Sequence, residues 1–442
     1  MHLRDTLAIV LAGGSGERLY PLTKHRAKPA VPFGGIYRLI DFTLSNAVNS
    51  GIRKIFILSQ YKSDSLQRHI CSGWSIFSQA LGEFIHILPP QQRINDQWYT
   101  GTASAVHQNL YSISHVKPKY VLILSADHIY KMDYGRMLEY HIRNEAELTV
   151  GAVEVPPRDA HRFGVLACDN SERITDFLEK PRSLSTVRTR GDSVLGSMGI
   201  YVFNTETLFD VLEKDAAQRT EHDFGKSIIP AMLHSHRVYA YLFGRENRKD
   251  AGYWRDVGTI DSYYEANMDL ASVDPPFNLY DTEWPIRTYH TQYPPAKTVF
   301  AGGDDGRRIG LVLDSIISNG CIISGGRVQN SVLSPGVRIN SYAEVYDSVL
   351  MDCVEVGRHA RIRRAIISKH VTIPPNMVIG FNPEEDRKRF AVSDTGIVVI
   401  PKGTVLPITP TRRRHNEKRL TATPFPLIAE LLSSSQFTRT CA

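Results

Sequence analysis

From Thr6 to about Leu270, short apolar runs alternate with segments of helical period. The runs Thr6 to Leu11, Lys54 to Leu58, Tyr120 to Leu124, Leu148 to Val153 and Ser197 to Phe203 have the length and apolar density of buried strands. Between them, Arg38 to Ser50 places Ile40, Leu44, Ala47 and Val48 on one face ahead of a capping Gly51, and Ala103 to Ser114 repeats Val106, Leu110 and Ile113 after Thr102. This alternation predicts an α/β domain with a mostly parallel sheet covered on both faces and ligands at the carboxyl ends of its strands.

Around Asp274 the pattern changes. Pro275, Pro276, Pro285, Pro294 and Pro295 cluster with Tyr280, Trp284, Tyr289 and Tyr293, which predicts an extended linker packed on a domain surface. Beyond it, small, mostly aliphatic residues recur every six positions: Ile316, Ile322 and Val328, then Val354, Ala360, Ile366, Thr372 and Val378. Such a period predicts a hexapeptide β-helix, with an irregular β-sandwich as the alternative. The two series are out of phase, which predicts an inserted loop between Val328 and Val354. The expected organisation is an α/β domain over residues 1–273, a linker over 274–296, a β-helix over 297–410 and a basic tail over 411–442.

The 442 residues are 42% hydrophobic and 22% charged, which excludes a disordered or collagen-like chain. No apolar run approaches the roughly 18 residues of a membrane helix, so no membrane partner is expected. The run Leu7 to Ala12 is too short for a secretory signal and leads into Gly13-Gly14-Ser15-Gly16 rather than a cleavage site. Five scattered cysteines without a CxxC pair point to neither a disulfide framework nor zinc, and suit a reducing cytoplasm. Of the net charge of +6, +4 belongs to the stretch from Thr411 onward, where six basic residues face two acidic ones. The basic balance is therefore a property of the tail, read as a solvated end, and no nucleic-acid partner is expected.

Several residues could carry chemistry. Glycines in Ala12-Gly13-Gly14-Ser15-Gly16 would let backbone N–H groups approach phosphate, although the loop is also compatible with an ordinary strand-to-helix turn. It lacks the Gly-Lys-Ser/Thr of a P-loop but precedes the cations Arg18, Arg26 and Lys28. Asp127 follows an apolar strand and Asp256 lies in Trp254-Arg255-Asp256; together they could hold one magnesium against substrate phosphates, and singly either could be a cap. Lys180 and Lys226 add two further cations, and there is neither a G-x-S-x-G elbow nor an H-E-x-x-H motif.

Taken together the motifs are more specific. The stretch LAGGSGERLYPLTKHRAKPAVPFGG is similar to the signature of sugar-nucleotide pyrophosphorylases. With RLIDFTLSNAVNSGI, QWYTGTASAV, ADHIYKMDY, FLEKP, SMGIYVF, HDFGKSIIP and YWRDVGT in order, the chain resembles the bacterial ADP-glucose pyrophosphorylases, or glucose-1-phosphate adenylyltransferases, as far as about Lys402. The resemblance implies a Rossmann-like nucleotidyltransferase domain followed by a left-handed parallel β-helix, in a cytoplasmic homotetramer. It implies transfer of AMP from ATP to α-D-glucose 1-phosphate with Mg2+, giving ADP-glucose and pyrophosphate, the committed step of glycogen synthesis. On the matching positions, Gly13, Gly14 and Gly16 would cradle the nucleotide, Arg18 and Lys28 hold the ATP phosphates, and Asp127 with Asp256 bind the metal. Tyr99, Gly164, Glu179, Lys180 and Ser197 would form the glucose 1-phosphate site, and Gln91 or Gln92 would lie near adenine. Ser15 and Ser104 depart from the arginine and aspartate common in the family. Alternatives are a sister sugar-nucleotide pyrophosphorylase, a non-catalytic regulatory subunit of the same type, or an acyltransferase, since hexapeptide β-helices also house coenzyme A enzymes.

The resemblance also implies a site for anionic metabolite effectors between the two domains, at His25, Arg26, Arg38, His115 and Lys369. There His25, Pro32 and His115 replace the lysine, histidine and arginine of one bacterial subtype, so fructose 1,6-bisphosphate is expected to activate weakly, and better at pH 6 than at pH 8.

Overall fold

A computed structural model describes residues 2–90, 98–181, 192–244, 252–302 and 308–407. The apolar runs of the first half assemble one nine-stranded sheet. Phe84–Leu88, Lys54–Ser59, Thr6–Ala12 and Tyr120–Ser125 lie side by side and parallel. Their unbroken apolar sequence is what burial on two faces requires, and along Thr6–Ala12 only Leu11 is not fully buried. One face packs on Ile40, Leu44 and Ala47 of the helix Leu39–Asn49, the other on Val106, Ile113 and Leu208. On the far flank the long strand Val194–Asn204 runs antiparallel to Tyr120–Ser125, Leu148–Val155 and Gly164–Cys168. Its register slips between Ser197 and Tyr201, at a bulge where Gly199 takes a φ of 68°.

The helix Leu39–Asn49 ends as its sequence predicts: Gly51 has a φ of 90°, and the N–H groups of Gly51 and Ile52 return to the carbonyls of Val48 and Ala47. The single helix expected over Ala103 to Ser114 is instead two, Thr102–His107 and Leu110–Val116. At the break, the Asn109 amide donates to the Ala105 carbonyl and to the Tyr99 hydroxyl. Helical spacing is blind to such a side-chain competitor.

The chain after Ala271 straps the helix Leu39–Asn49. Trp284 and Thr288 donate to Asn46 and Asp41, Asn49 donates to the Pro285 carbonyl, and Arg287 N–H donates to Ser45. Asp41, with no exposure, also accepts from His69 at 2.6 Å, Trp74 at 2.9 Å and the Arg38 N–H at 2.7 Å, so its burial is fully compensated.

The second half forms three sheets of parallel strands, the sides of a left-handed parallel β-helix. Val328, Val345, Ile362 and Ile379 stack in register, seventeen residues apart, with no exposure. The spacing follows because Ile362, Ile367, Ile373 and Ile379 fill successive inner positions, one side of the coil advancing by five residues rather than six. A strict period of six therefore fails: Thr372 and Val378 face outward, Val378 being 41% exposed. The loop expected between Val328 and Val354 is absent, because the coils run through that stretch unbroken. The excursion lies later, where the helix Pro383–Arg389 and the strand Ala391–Val392 intervene before Val398–Ile400. Left-handed corners also repeat by seventeen, at Gly325, Tyr342, His359 and Asn376. Val332, Val349 and Ile366 pack against Tyr263, Tyr264 and Ala266 of the helix Ile260–Ala271, which joins the β-helix to the α/β domain through an apolar seam. Among the described residues no helix is long and apolar enough to cross a membrane. Cys71, Cys168, Cys321 and Cys353 are free thiols; Cys441 and the tail lie outside the described residues.

Candidate active site

A cavity of about 550 Å³ opens at the carboxyl ends of Thr6–Ala12, Lys54–Ser59 and Tyr120–Ser125, lined by Leu11, Gly13, Gly14, Leu58, Ser125 and Asp127. Where the first strand ends, Gly16 turns the chain with a φ of 66°; a Cβ there would also press on Thr23 and Lys28 at 3.0 and 3.1 Å. The turn brings Lys28, 7% exposed, beneath the cavity.

Lys28 Nζ stands 2.7 Å from Asp127 Oδ2 and 3.4 Å from Asp256 Oδ1. The two carboxylates reach it from separate elements: Asp127 follows Tyr120–Ser125, whereas Asp256 ends the short strand Trp254–Asp256, paired antiparallel with His128–Tyr130. Burial opposes the charge on Asp127, but Lys28 and His128 outweigh it, with a hydrogen bond from Ser125 at 2.6 Å, and the carboxyl is held well below the usual range. Burial likewise opposes the charge on Lys28, and Asp127 and Asp256 raise its pKa above the ordinary lysine value. Arg18 Nη2 lies beside Asp256 around Gly258, where a Cβ would sit 3.0 and 2.9 Å from them. Arg162 Nη2 approaches the other Asp256 oxygen at 3.7 Å. No group of three or more His, Cys, Asp or Glu converges among the described residues. Two carboxylates already bridged by one cation fit a divalent ion that completes its coordination with phosphate oxygens.

The opposite end of the cavity is built by Tyr99, Thr102, Glu179, Lys180, Tyr201, Asp223 and Gly225. Gly164 opens the strand opposite Glu179, and a Cβ there would strike Phe177 and lie 2.7 Å from Glu179 Oε2. Lys180 has a φ of 49° and pairs with Glu179 Oε1 at 2.9 Å. Burial raises the pKa of Tyr99. Ser197 sits on the bulge, its hydroxyl accepting from the Gly199 N–H at 3.3 Å. Of the residues expected from sequence, Gly13, Gly14, Tyr99, Asp127, Glu179 and Lys180 line the cavity; Gly16, Arg18, Lys28, Gly164, Ser197 and Asp256 are not among its lining residues, and Gln91 and Gln92 fall outside the described residues. Gln60, Thr102, Asp223 and Arg162 were missed. Lys226 of His222-Asp223-Phe224-Gly225-Lys226 pairs instead with Glu221 at 3.2 Å, and the residues of that motif that line the cavity are Asp223 and Gly225.

At the seam with the β-helix, Arg26 (6% exposed) reaches Ser368 at 3.5 Å, and Lys369 pairs with Asp352 at 2.9 Å. Burial, then the charge of Arg38, lowers Arg26 to about 10 and Lys369 to about 8. Three cations thus gather around the Asp352 carboxylate. His25 is exposed beside Arg26, and His115 bonds the Tyr111 carbonyl on the helix Leu110–Val116; among the described residues neither joins this cluster by a hydrogen bond or ion pair.

A glycine turn at the strand ends and paired aspartates bridged by Lys28 beside a cavity that also carries Lys180 are the parts of a nucleotidyl transferase, and the nucleotidyl transferase family model matches residues 7–273, while a GlmU-like C-terminal hexapeptide model matches residues 294–400. The chain is 54% identical over 402 residues to the glucose-1-phosphate adenylyltransferase of Koribacter versatilis, covering 90% of this chain and 95% of that one. It is 55% identical over 398 residues to that of Methylococcus capsulatus, covering 90% and 93%, and 53% identical over 407 residues to that of Rhodopirellula baltica, covering 91% of each. The chain belongs to the glucose-1-phosphate adenylyltransferase family.

Proposed function

We propose that this chain transfers AMP from ATP to α-D-glucose 1-phosphate, forming ADP-glucose and pyrophosphate. The observation that carries the reading is the Asp127–Lys28–Asp256 cluster at one end of a cavity whose other end presents Lys180 and Glu179. The sugar phosphate is already an anion near neutral pH, so its oxygen attacks the α-phosphorus without a general base; a P–O bond forms as the bond to the leaving pyrophosphate breaks. Nucleotidyl transferases use a divalent cation, here read as Mg2+ held by Asp127 and Asp256, which supplies charge neutralisation on the phosphates when bound. Gly13, Gly14 and Gly16 give the nucleotide close access to backbone, and Arg18 and Lys28 neutralise its phosphates. Lys180 holds the sugar phosphate, with Tyr99, Gly164, Glu179 and Ser197 shaping its pocket. Positioning and charge account for the chemistry, and no nucleophilic side chain is needed.

The Arg26, Arg38 and Lys369 cluster is read as the site of an anionic metabolite effector, with His25 and His115 at its margin, in a cytoplasmic homotetramer. The test is pyrophosphate release by the purified chain from ATP and glucose 1-phosphate, with UTP and dTTP as comparators. Turnover with ATP well above the others supports the reading. A preference for UTP overturns it in favour of a sister pyrophosphorylase, and no turnover overturns it in favour of a regulatory subunit.

A further inference from the structure

Two segments distant in sequence form the wall at the Lys180 end of the cavity: Tyr99–Thr102 and the turn carrying Asp223 and Gly225. They are stapled together. The carbonyl of His222 accepts from the N–H groups of Ala103 at 2.9 Å and Ser104 at 3.1 Å, capping the helix that begins at Thr102. Thr102 Oγ1 donates to Asp223 Oδ2 at 2.8 Å and accepts from the Phe224 N–H at 3.0 Å. Gly101 passes so close to the carbonyls of Glu221 and His222 that a side chain there would collide with both.

That carbonyl is aimed by an unusual backbone. His222 has a φ of 51°, a left-handed conformation uncommon for residues other than glycine, asparagine, aspartate and histidine and worst for β-branched ones. Its imidazole Nδ1 meets Asp215 Oδ2 at 2.8 Å, Asp215 Oδ1 accepts from the Thr220 hydroxyl at 2.6 Å, and the His222 N–H donates to Thr220 Oγ1 at 3.1 Å. Asp215 ends the helix Thr205–Ala216 and is 9% exposed; it does not line the cavity. We infer that Asp215 and His222 are positioning residues for the sugar-phosphate end of the site: the pair fixes residue 222 in its left-handed turn, the carbonyl of 222 then fixes the start of the helix at Thr102, and so Tyr99 and Thr102 are set against Asp223. The inference rests on the glucose 1-phosphate reading of that end.

The test uses the full-length chain with Asp215→Asn, His222→Val and His222→Asn, in two measurements. Steady-state kinetics should give Asp215→Asn and His222→Val a KM for glucose 1-phosphate raised about tenfold, with the KM for ATP within about twofold of wild type. His222→Asn, which tolerates the left-handed turn and retains a donor, should recover most of the affinity. Hydrogen exchange over residues 98–108 should show the amides of Ala103 and Ser104 protected in wild type and His222→Asn, and exchanging faster in the other two. Unchanged exchange in Asp215→Asn and His222→Val overturns the inference whether or not the chain uses glucose 1-phosphate. So does an equal rise of both KM values, the sign of general loosening. A wild-type chain that releases no pyrophosphate with glucose 1-phosphate defeats the functional reading instead, and the exchange result still decides the clamp.

Discussion

At Lys28 two opposing effects meet. Desolvation favours loss of its proton, yet Asp127 and Asp256 overcome it, so the ammonium stays charged, and Lys28 in turn holds Asp127 ionised. Asp127→Asn keeps the shape and removes the charge. Its kcat is expected to fall by about two or more orders of magnitude, and near-normal turnover of the folded variant would refute the mechanism. Lys180 stands at the other end, more than half exposed and paired with Glu179. Lys180→Ala should raise the KM for glucose 1-phosphate about tenfold and leave that for ATP close to wild type; an equal rise in both would refute a local role. Lys28, Asp127, Asp256 and Lys180 were all legible in the sequence because each is a charged residue inside a motif or just past a strand. Arg162 and Thr102 were not, because what recruits them is a long-range ion pair to Asp256 and a loop-to-loop bond that no local spacing encodes.

Among the elements, the five strands read from apolar runs and the helix ending at Gly51 were legible because burial on two faces leaves an unbroken apolar trace and a left-handed cap calls for glycine. The break at Asn109 and the seventeen-residue coil were not: the first depends on one amide returning to Ala105, and the second on a five-residue side that a search at fixed period steps over. The helix Tyr134–Arg143 makes its own prediction. His141, 1% exposed on it, bonds Thr149 at 2.8 Å and Asn204 at 3.3 Å, and burial lowers its pKa to about 4. The unfolded chain takes up this proton first, so the contribution of neutral His141 is complete above pH 6.5 and is lost progressively as pH falls to about 4, by roughly 3 kcal/mol in all. Thermal melts should show that decline, and His141→Asn should flatten it; an unchanged slope would place the acid sensitivity elsewhere.

For the whole molecule, the seam between the α/β domain and the β-helix concentrates charge: Arg26, Arg38 and Lys369 gather around Asp352, which burial pushes up but Lys369 and Arg38 pull below the ordinary carboxylate value. A bound anion stabilises protonated Lys369. If the proposed effector binds there, its affinity should be full below the Lys369 value of about 8 and should weaken as pH rises through it. Activation by fructose 1,6-bisphosphate is expected to be stronger at pH 6 than at pH 9, with Lys369→Gln removing most of the difference. Equal activation at both values, measured alongside fructose 6-phosphate and pyruvate, would show that these groups do not govern the response.

The strap over the helix Leu39–Asn49 also makes the protein its own optical probe. The indoles of Trp74 and Trp284, at 2% and 6% exposure, are tied to Asp41 and Asn46, whereas Trp98 is 55% exposed, stacks on Tyr61 at 6.2 Å, and Tyr61 lines the cavity. Buried indoles emit to the blue and exposed ones to the red. Iodide should thus quench the red emission at the cavity mouth selectively, and a ligand seated there should shield it, while a shift in the blue component would report movement of the strap itself.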